Sequence, residues 1–150
     1  MRVNTRLFGE IEIDDSRIIT FTTGIMGFEE YKKYSLVYNS DKNGNIKWLQ
    51  CLDNPELAFA VIDPMKVIAK YNPVVDEDTL AKLGAVESEE DYFLLAIVTV
   101  PSDLTKMTAN LKAPVIINIR SCRADQVIVN NDDYEVRYKV YDYIKKKEDA

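Results

Sequence analysis

The sequence predicts a mainly β protein: a small closed or partly open, antiparallel-rich β-barrel, or a sandwich, with one short helix. Three observations carry this expectation. About ten short runs rich in β-branched and aromatic residues recur along the chain, separated by Gly, Pro, Asn and Asp. Most of them alternate apolar and polar residues, the period of a strand with one buried face. Only one window, 76–84, has the spacing and end signals of a helix.

The elements follow in order. RVNTRLF (2–8), EIEI (10–13) and RIITF (17–21) are alternating runs broken by Gly9 and by the turn formers Asp14-Asp15-Ser16. The third run exits into TFTTGIMGFEEY (20–31). SLVYN (35–39) and IKWLQCL (46–52) flank SDKNGN, where Asn43-Gly44 predicts a hairpin turn. Asp53-Asn54-Pro55 punctuates, LAFAVI (57–62) is the next strand, and Asp63-Pro64 ends it. DEDTLAKLG (76–84) reads as the helix, with acids in its first turn, Leu80 and Leu83 three apart, and Gly84 past its end. ESEED (87–91) reads as a solvated acidic loop. YFLLAIVTV (92–100) is apolar on both alternating sets, so it predicts a strand buried on both faces. MTANLKAPVIINI (107–119) is β-like but split by Pro114, and DQVIVN (125–130) follows. YEVRYKVYDYI (134–144) has period two and predicts a last strand. Residues 1–144 are expected to form a single domain, with 145–150 as a solvated tail.

Composition removes whole classes of chemistry. The chain of 150 residues has no histidine and two cysteines, Cys51 and Cys122. Ser-His and Cys-His nucleophile pairs are therefore unavailable, and a Cys-only zinc site would need more thiols. Two distant thiols without a secretion signal predict reduced cysteines, and no cofactor or metal is expected. The alternating N-terminus does not resemble a signal peptide, and no apolar run approaches the roughly 20 residues of a membrane span. A cytoplasmic protein without a membrane role is expected.

The net charge is −6, and the window 76–91 accounts for all of it. There Asp76, Glu77, Asp78, Glu87, Glu89, Glu90 and Asp91 face the single base Lys82. Phosphate binding needs a basic face, so direct nucleic-acid binding is not expected. A basic protein surface is the better partner for such a segment.

Gly24-Ile25-Met26-Gly27 invites a phosphate-loop reading. Such loops lead into a helix and commonly carry Lys or Arg, whereas here Glu29 and Glu30 follow. The glycines are better read as backbone hinges, with Ile25, Met26 and Phe28 packing inward or forming an apolar knob. Asp53 and Asp63 sit in turn sequences, and no two carboxylates show a recognisable catalytic spacing. Asp76-Glu77-Asp78 lacks the spaced oxygens and glycine of a calcium loop. Nine tyrosines suit a half-buried wall or an interface, with Tyr138, Tyr141 and Tyr143 open to either role. Asn110 and Asn118, in apolar surroundings, are expected to fix neighbouring backbone.

A series of these features resembles the flagellar assembly factor FliW family. It runs from Phe21 and Gly24-x-x-Gly27-Phe28-Glu29 through Trp48-Leu49-Gln50 to Asp53-Asn54-Pro55-x-Leu57-Ala58-Phe59. Asp63-Pro64, Tyr71 and Asn110-Leu111-x-Ala113-Pro114-Val115-x-x-Asn118 complete it. The resemblance covers residues from about 3 to about 140 in unbroken order. Cys51 stands where members often have a small residue, and YDYIKKKEDA matches no motif.

The resemblance implies a small, mostly β, non-catalytic protein that binds flagellin in the cytoplasm. It also implies binding of CsrA, the RNA-binding carbon storage regulator that represses flagellin translation. In that scheme flagellin export frees the protein to sequester CsrA. Candidate partner contacts are Met26, Phe28 and Tyr71, as exposed apolar or aromatic groups, and the acids Asp76, Glu77, Asp78, Glu87, Glu89, Glu90 and Asp91. The competing expectation is a small β-barrel enzyme using carboxylate acid–base chemistry, which requires two converging carboxylates with raised pKa values.

Overall fold

Alternating strands need a partner on each edge and cover on the apolar face. A computed structural model, describing residues 1–37 and 46–148, shows how this chain supplies both. Strands β1 (Arg2–Thr5) and β2 (Gly9–Glu12) form an antiparallel hairpin and, among the described residues, pair only with each other. The barrel begins with β3 (Ile19–Phe21), β4 (Lys33–Val37), β5 (Lys47–Cys51) and β6 (Ala58–Ile62). The meander continues into β7 (Tyr92–Thr99). Strands β8 (Thr108–Ala109), β9 (Val115–Asn118) and β10 (Arg123–Gln126) follow.

Closure depends on two non-local pairings. β9 pairs antiparallel with β7, and β10 runs parallel to β3. The ring is β3-β4-β5-β6-β7-β9-β10, a seven-strand barrel. β7 is long enough to serve two partners: Tyr92–Leu95 pair with β9, while Val98 and Thr99 pair with β8. Residues 110–114 bow out between these pairings. The Asn110 carboxamide oxygen holds the excursion by accepting from the amides of Lys112 (3.1 Å) and Ala113 (2.9 Å).

Alternation then divides the apolar residues into two cores. Phe21, Tyr34, Leu49, Val61, Leu95 and Val115 fill the barrel, with Phe21 and Tyr34 rings 4.9 Å apart. Ala60, Ile62, Ala96 and Val98 point outward from β6 and β7 into a second core. The C-terminal segment covers this outer core with Val140 and Ile144. β7 is therefore covered on both faces at Leu95, Ala96 and Val98, while Tyr92 to Leu94 are half-buried and Thr99 and Val100, at the end of the run predicted to be buried throughout, are exposed. Each large apolar side chain removed from water contributes about 1.5–3 kcal/mol, so the outer cover is a substantial part of the fold.

The helices correct the sequence reading. In place of one, the described residues form three short α-helices: α1 (Pro64–Val67), α2 (Glu77–Ala81) and α3 (Tyr141–Glu148). α2 is the predicted helix, closed by Gly84 at φ 99°. α1 starts at Asp63-Pro64, which the sequence marks as a strand end. The Asp63 carboxylate accepts from the Met65 amide at 2.9 Å, and Pro64 takes the first helical position. The expected strand over 134–144 shrinks to β11 (Tyr138–Lys139), which pairs with β8. Beyond it, Val140 and Ile144 are one helical turn apart, both buried, and linked by an amide-to-carbonyl bond of 3.1 Å. The helix thus enters the segment expected as a tail. Likewise β10 ends at Gln126, short of the strand expected over 125–130. The Asn43-Gly44 hairpin lies outside the described residues.

Candidate functional site

The Gly24–Phe28 turn sits where β3 leaves the barrel. Asp125 on β10 is buried, and its carboxylate accepts from the amides of Thr23 (2.8 Å) and Gly24 (3.1 Å) and from the Thr22 hydroxyl. Gln126 accepts from the Met26 amide at 3.0 Å and donates to the Ala113 carbonyl at 3.1 Å. The Phe28 amide donates to the Ile25 carbonyl at 2.7 Å, closing a turn whose third residue, Gly27, has φ 88°. A type II turn requires a positive φ there. Gly24 is fixed for a second reason: a Cβ on it would lie 2.8 Å from the Glu29 Cα.

This geometry assigns each apolar side chain of the turn a direction. Ile25 enters the barrel core. Met26 stands at the tip, 45% exposed, and Phe28 is 37% exposed with its ring edge-on to Phe59 at 5.2 Å. The result is an apolar knob on a pinned backbone, with exposed Glu29 and Glu30 beside it.

Tyr71 corrects the expectation that it is exposed. It is 3% exposed, donates its hydroxyl to the Leu111 carbonyl at 2.7 Å, and packs on Tyr134 with rings 4.6 Å apart. Burial pushes its hydroxyl pKa up. Its visible work is to join the segment after α1 to the 110–114 excursion. Tyr138, Tyr141 and Tyr143 are partly buried against the outer core.

The acids of 76–91 divide into holders and bare charges. Asp91 is nearly buried and accepts from the Glu87 amide at 2.8 Å and from Arg120 Nε at 2.7 Å. Those two donors, the amide first, hold its carboxyl below the usual range. Arg120 also reaches Glu87 at 2.9 Å. Asp76 precedes α2 and accepts from the Asn130 carboxamide at 3.0 Å. Asn118, fully buried, donates to the carbonyls of Leu83 (3.1 Å), Gly84 (3.2 Å) and Ala85 (3.3 Å), tying the end of α2 to the barrel. Glu77, Asp78, Glu89 and Glu90 are exposed and form no ion pair with another described residue.

Between α2 and the barrel lies a cleft of about 460 Å³. Its floor is the outer face of β7 and β9, at Tyr92, Leu94 and Ile116, and Leu80 of α2 forms a wall. Asp63, Glu89 and Glu90 are its acidic members, and among the described residues no Lys or Arg lines it. Sequence reading missed this cleft, along with Asp125 and Arg120 as positioning side chains. The partners of Asp125 are about a hundred positions away, so no local pattern could mark it. Tyr92 and Leu94 did carry a signal: they are the outward set of a strand apolar on both faces.

An acid–base enzyme would need a carboxyl raised by its surroundings. Asp91 is displaced the opposite way, and so is Asp14, chiefly by the Ser16 amide. Among the described residues no cluster of three or more His, Cys, Asp or Glu could hold a metal ion, and no helix is long and apolar enough to cross a membrane.

A closed barrel with a pinned apolar turn and an acid-rimmed cleft defines a small β-barrel protein whose distinctive chemistry lies on its surface. The FliW protein family model matches residues 2–140. The flagellar assembly factor FliW of Lachnospira eligens is 46% identical over 150 residues, covering 99% of each chain. Its counterpart in Lachnoclostridium phytofermentans is also 46% identical, covering 100% of this chain and 99% of its own. A crystal structure of the flagellar assembly factor FliW superposes with a TM-score of 0.84 at 32% identity, covering 93% of this chain and 96% of that one. The chain belongs to the FliW family.

Proposed function

We propose that this protein is a cytoplasmic, non-enzymatic flagellar assembly factor that binds flagellin and, in its absence, sequesters the translational regulator CsrA. The observation that carries the reading is full-length similarity to proteins named flagellar assembly factor FliW, at up to 46% identity among those described above. Two features of the chain support a protein-binding role. Met26 and Phe28 expose apolar surface on a backbone that is already ordered, so docking them costs little further entropy. The bare acids of 76–91 create a negative field that attracts a basic RNA-binding protein and repels RNA. Exchange of one partner for the other then couples flagellin translation to flagellin export.

The test is co-purification of the full chain with flagellin and with CsrA, separately and in competition. Capture of each alone, with flagellin displacing CsrA, is the expected result. Capture of neither would overturn the reading.

A further inference from the structure

We infer that the cleft between α2 and the outer face of β7 and β9 docks a cationic peptide segment carrying one large apolar side chain. The inference rests on the reading of the chain as a protein-binding regulator. Its chemistry comes from the lining. The floor, Tyr92, Leu94 and Ile116, is apolar and belongs to strands of a closed barrel, so it is formed before any ligand arrives. The volume of about 460 Å³ is in the range that seats a bulky side chain with its flanking backbone. Glu89 and Glu90 stand at the rim, exposed and without an ion pair to any described residue.

Charge complementarity selects the occupant. An anionic or neutral segment gains nothing from that rim, whereas Lys or Arg beside the apolar anchor meets a carboxylate on entry. Tyr92 adds an aromatic ring on which a cation can rest. The rim is also held in place. Asp91, the next residue, is fixed by Arg120 and the Glu87 amide, and Leu83 is buried beneath α2. The geometry is that of a receptor whose specificity lies in the pairing of one apolar pocket with two adjacent charges.

The test uses the full chain and a fluorescein-labelled synthetic peptide with one tryptophan flanked on both sides by lysines. Anisotropy titrations compare wild type with the double variant Glu89→Gln, Glu90→Gln, and with a control double variant Glu29→Gln, Glu30→Gln, two exposed acids that do not line the cleft. The rim variant is expected to bind about fivefold more weakly and the control as wild type. Replacing the peptide's tryptophan by alanine should weaken binding about tenfold, and replacing its lysines by glutamates should abolish it. Equal loss in rim and control variants, or indifference to the tryptophan, would overturn the docking site. Failure of the regulatory reading is distinct. It shows as wild-type protein that captures neither flagellin nor CsrA while the peptide still binds at the rim.

Discussion

The turn at 24–28 and the acidic segment at 76–91 are both held by buried polar groups on distant strands, yet they present opposite surfaces. At the turn, the carboxylate of Asp125 is spent inward on Thr22, Thr23 and Gly24, and what faces solvent is Met26 and Phe28. In the acidic segment, Asn118 and the Asp91–Arg120 pair do the holding, and what faces solvent is carboxylate. The lesson is that charge in this chain has two jobs. Where it is buried or paired it fixes backbone; where it is bare it is available to a partner. A substitution should therefore affect stability or binding according to which job its residue does.

The largest effects break the holders. Asp125→Ala strands the buried Gly24 amide, the part-buried Thr23 amide and a hydroxyl, and Asn118→Ala strands three carbonyls and the amides of Arg120 and Ser121. Each should cost about 3 kcal/mol in chemical denaturation, since unpaired buried groups bear a desolvation penalty of about 1–3 kcal/mol. Next come the glycines, which separate two causes at one turn. Gly24→Ala meets both a positive φ and the Glu29 backbone, and should cost more than about 2 kcal/mol. Gly27→Ala has open space around it, so only the conformational cost of about 1 kcal/mol applies. Equal losses at the two glycines would show that the close approach at Gly24 is not a constraint.

The pH dependence sharpens the other region. The folded-state pKa of Asp91 lies below its ordinary value of 3.8, so its contribution to stability is fully present above that value. It is lost as pH falls through the lower folded value. Wild type should exceed Asp91→Asn in stability near neutral pH, and the gap should close as the solution is acidified below 3.8. Denaturant melts over that range check it, and a constant gap would contradict the assignment. Smallest of all, Glu77→Gln with Asp78→Asn should change stability by less than about 0.5 kcal/mol, because neither side chain is paired or buried.

Local signals in the sequence were reliable where a local cause operates. The α2 window, Gly84, the split at Pro114 and the two-faced strand at 92–100 were all legible because propensity and periodicity decide them. In 134–144 only Tyr138–Lys139 is strand, since a period of two and a period near four share the apolar positions Val140 and Ile144 over so short a run. Docking on the outer core settled the matter in favour of helix for 141–148. Asp63-Pro64 contained a cap and a first helical residue, but the following segment is too short to show a helical period. Barrel closure depends on β7 meeting β9 and β3 meeting β10, choices made between distant segments. The knob's direction was equally hidden, because the residues that aim it, Asp125 and Gln126, are about a hundred positions away. Tyr71 looked like a contact and is a buried brace for the same reason.

The distinction between holding charge and bare charge is tested most directly by measuring the proposed binding to CsrA from low to high ionic strength. Wild type should be compared with the Glu89→Gln, Glu90→Gln variant. Bare charges act through a screened field, so wild-type affinity and association rate should both fall as salt rises, and the variant should start weaker and fall less steeply. Affinities and rates that are independent of salt in both proteins would contradict it.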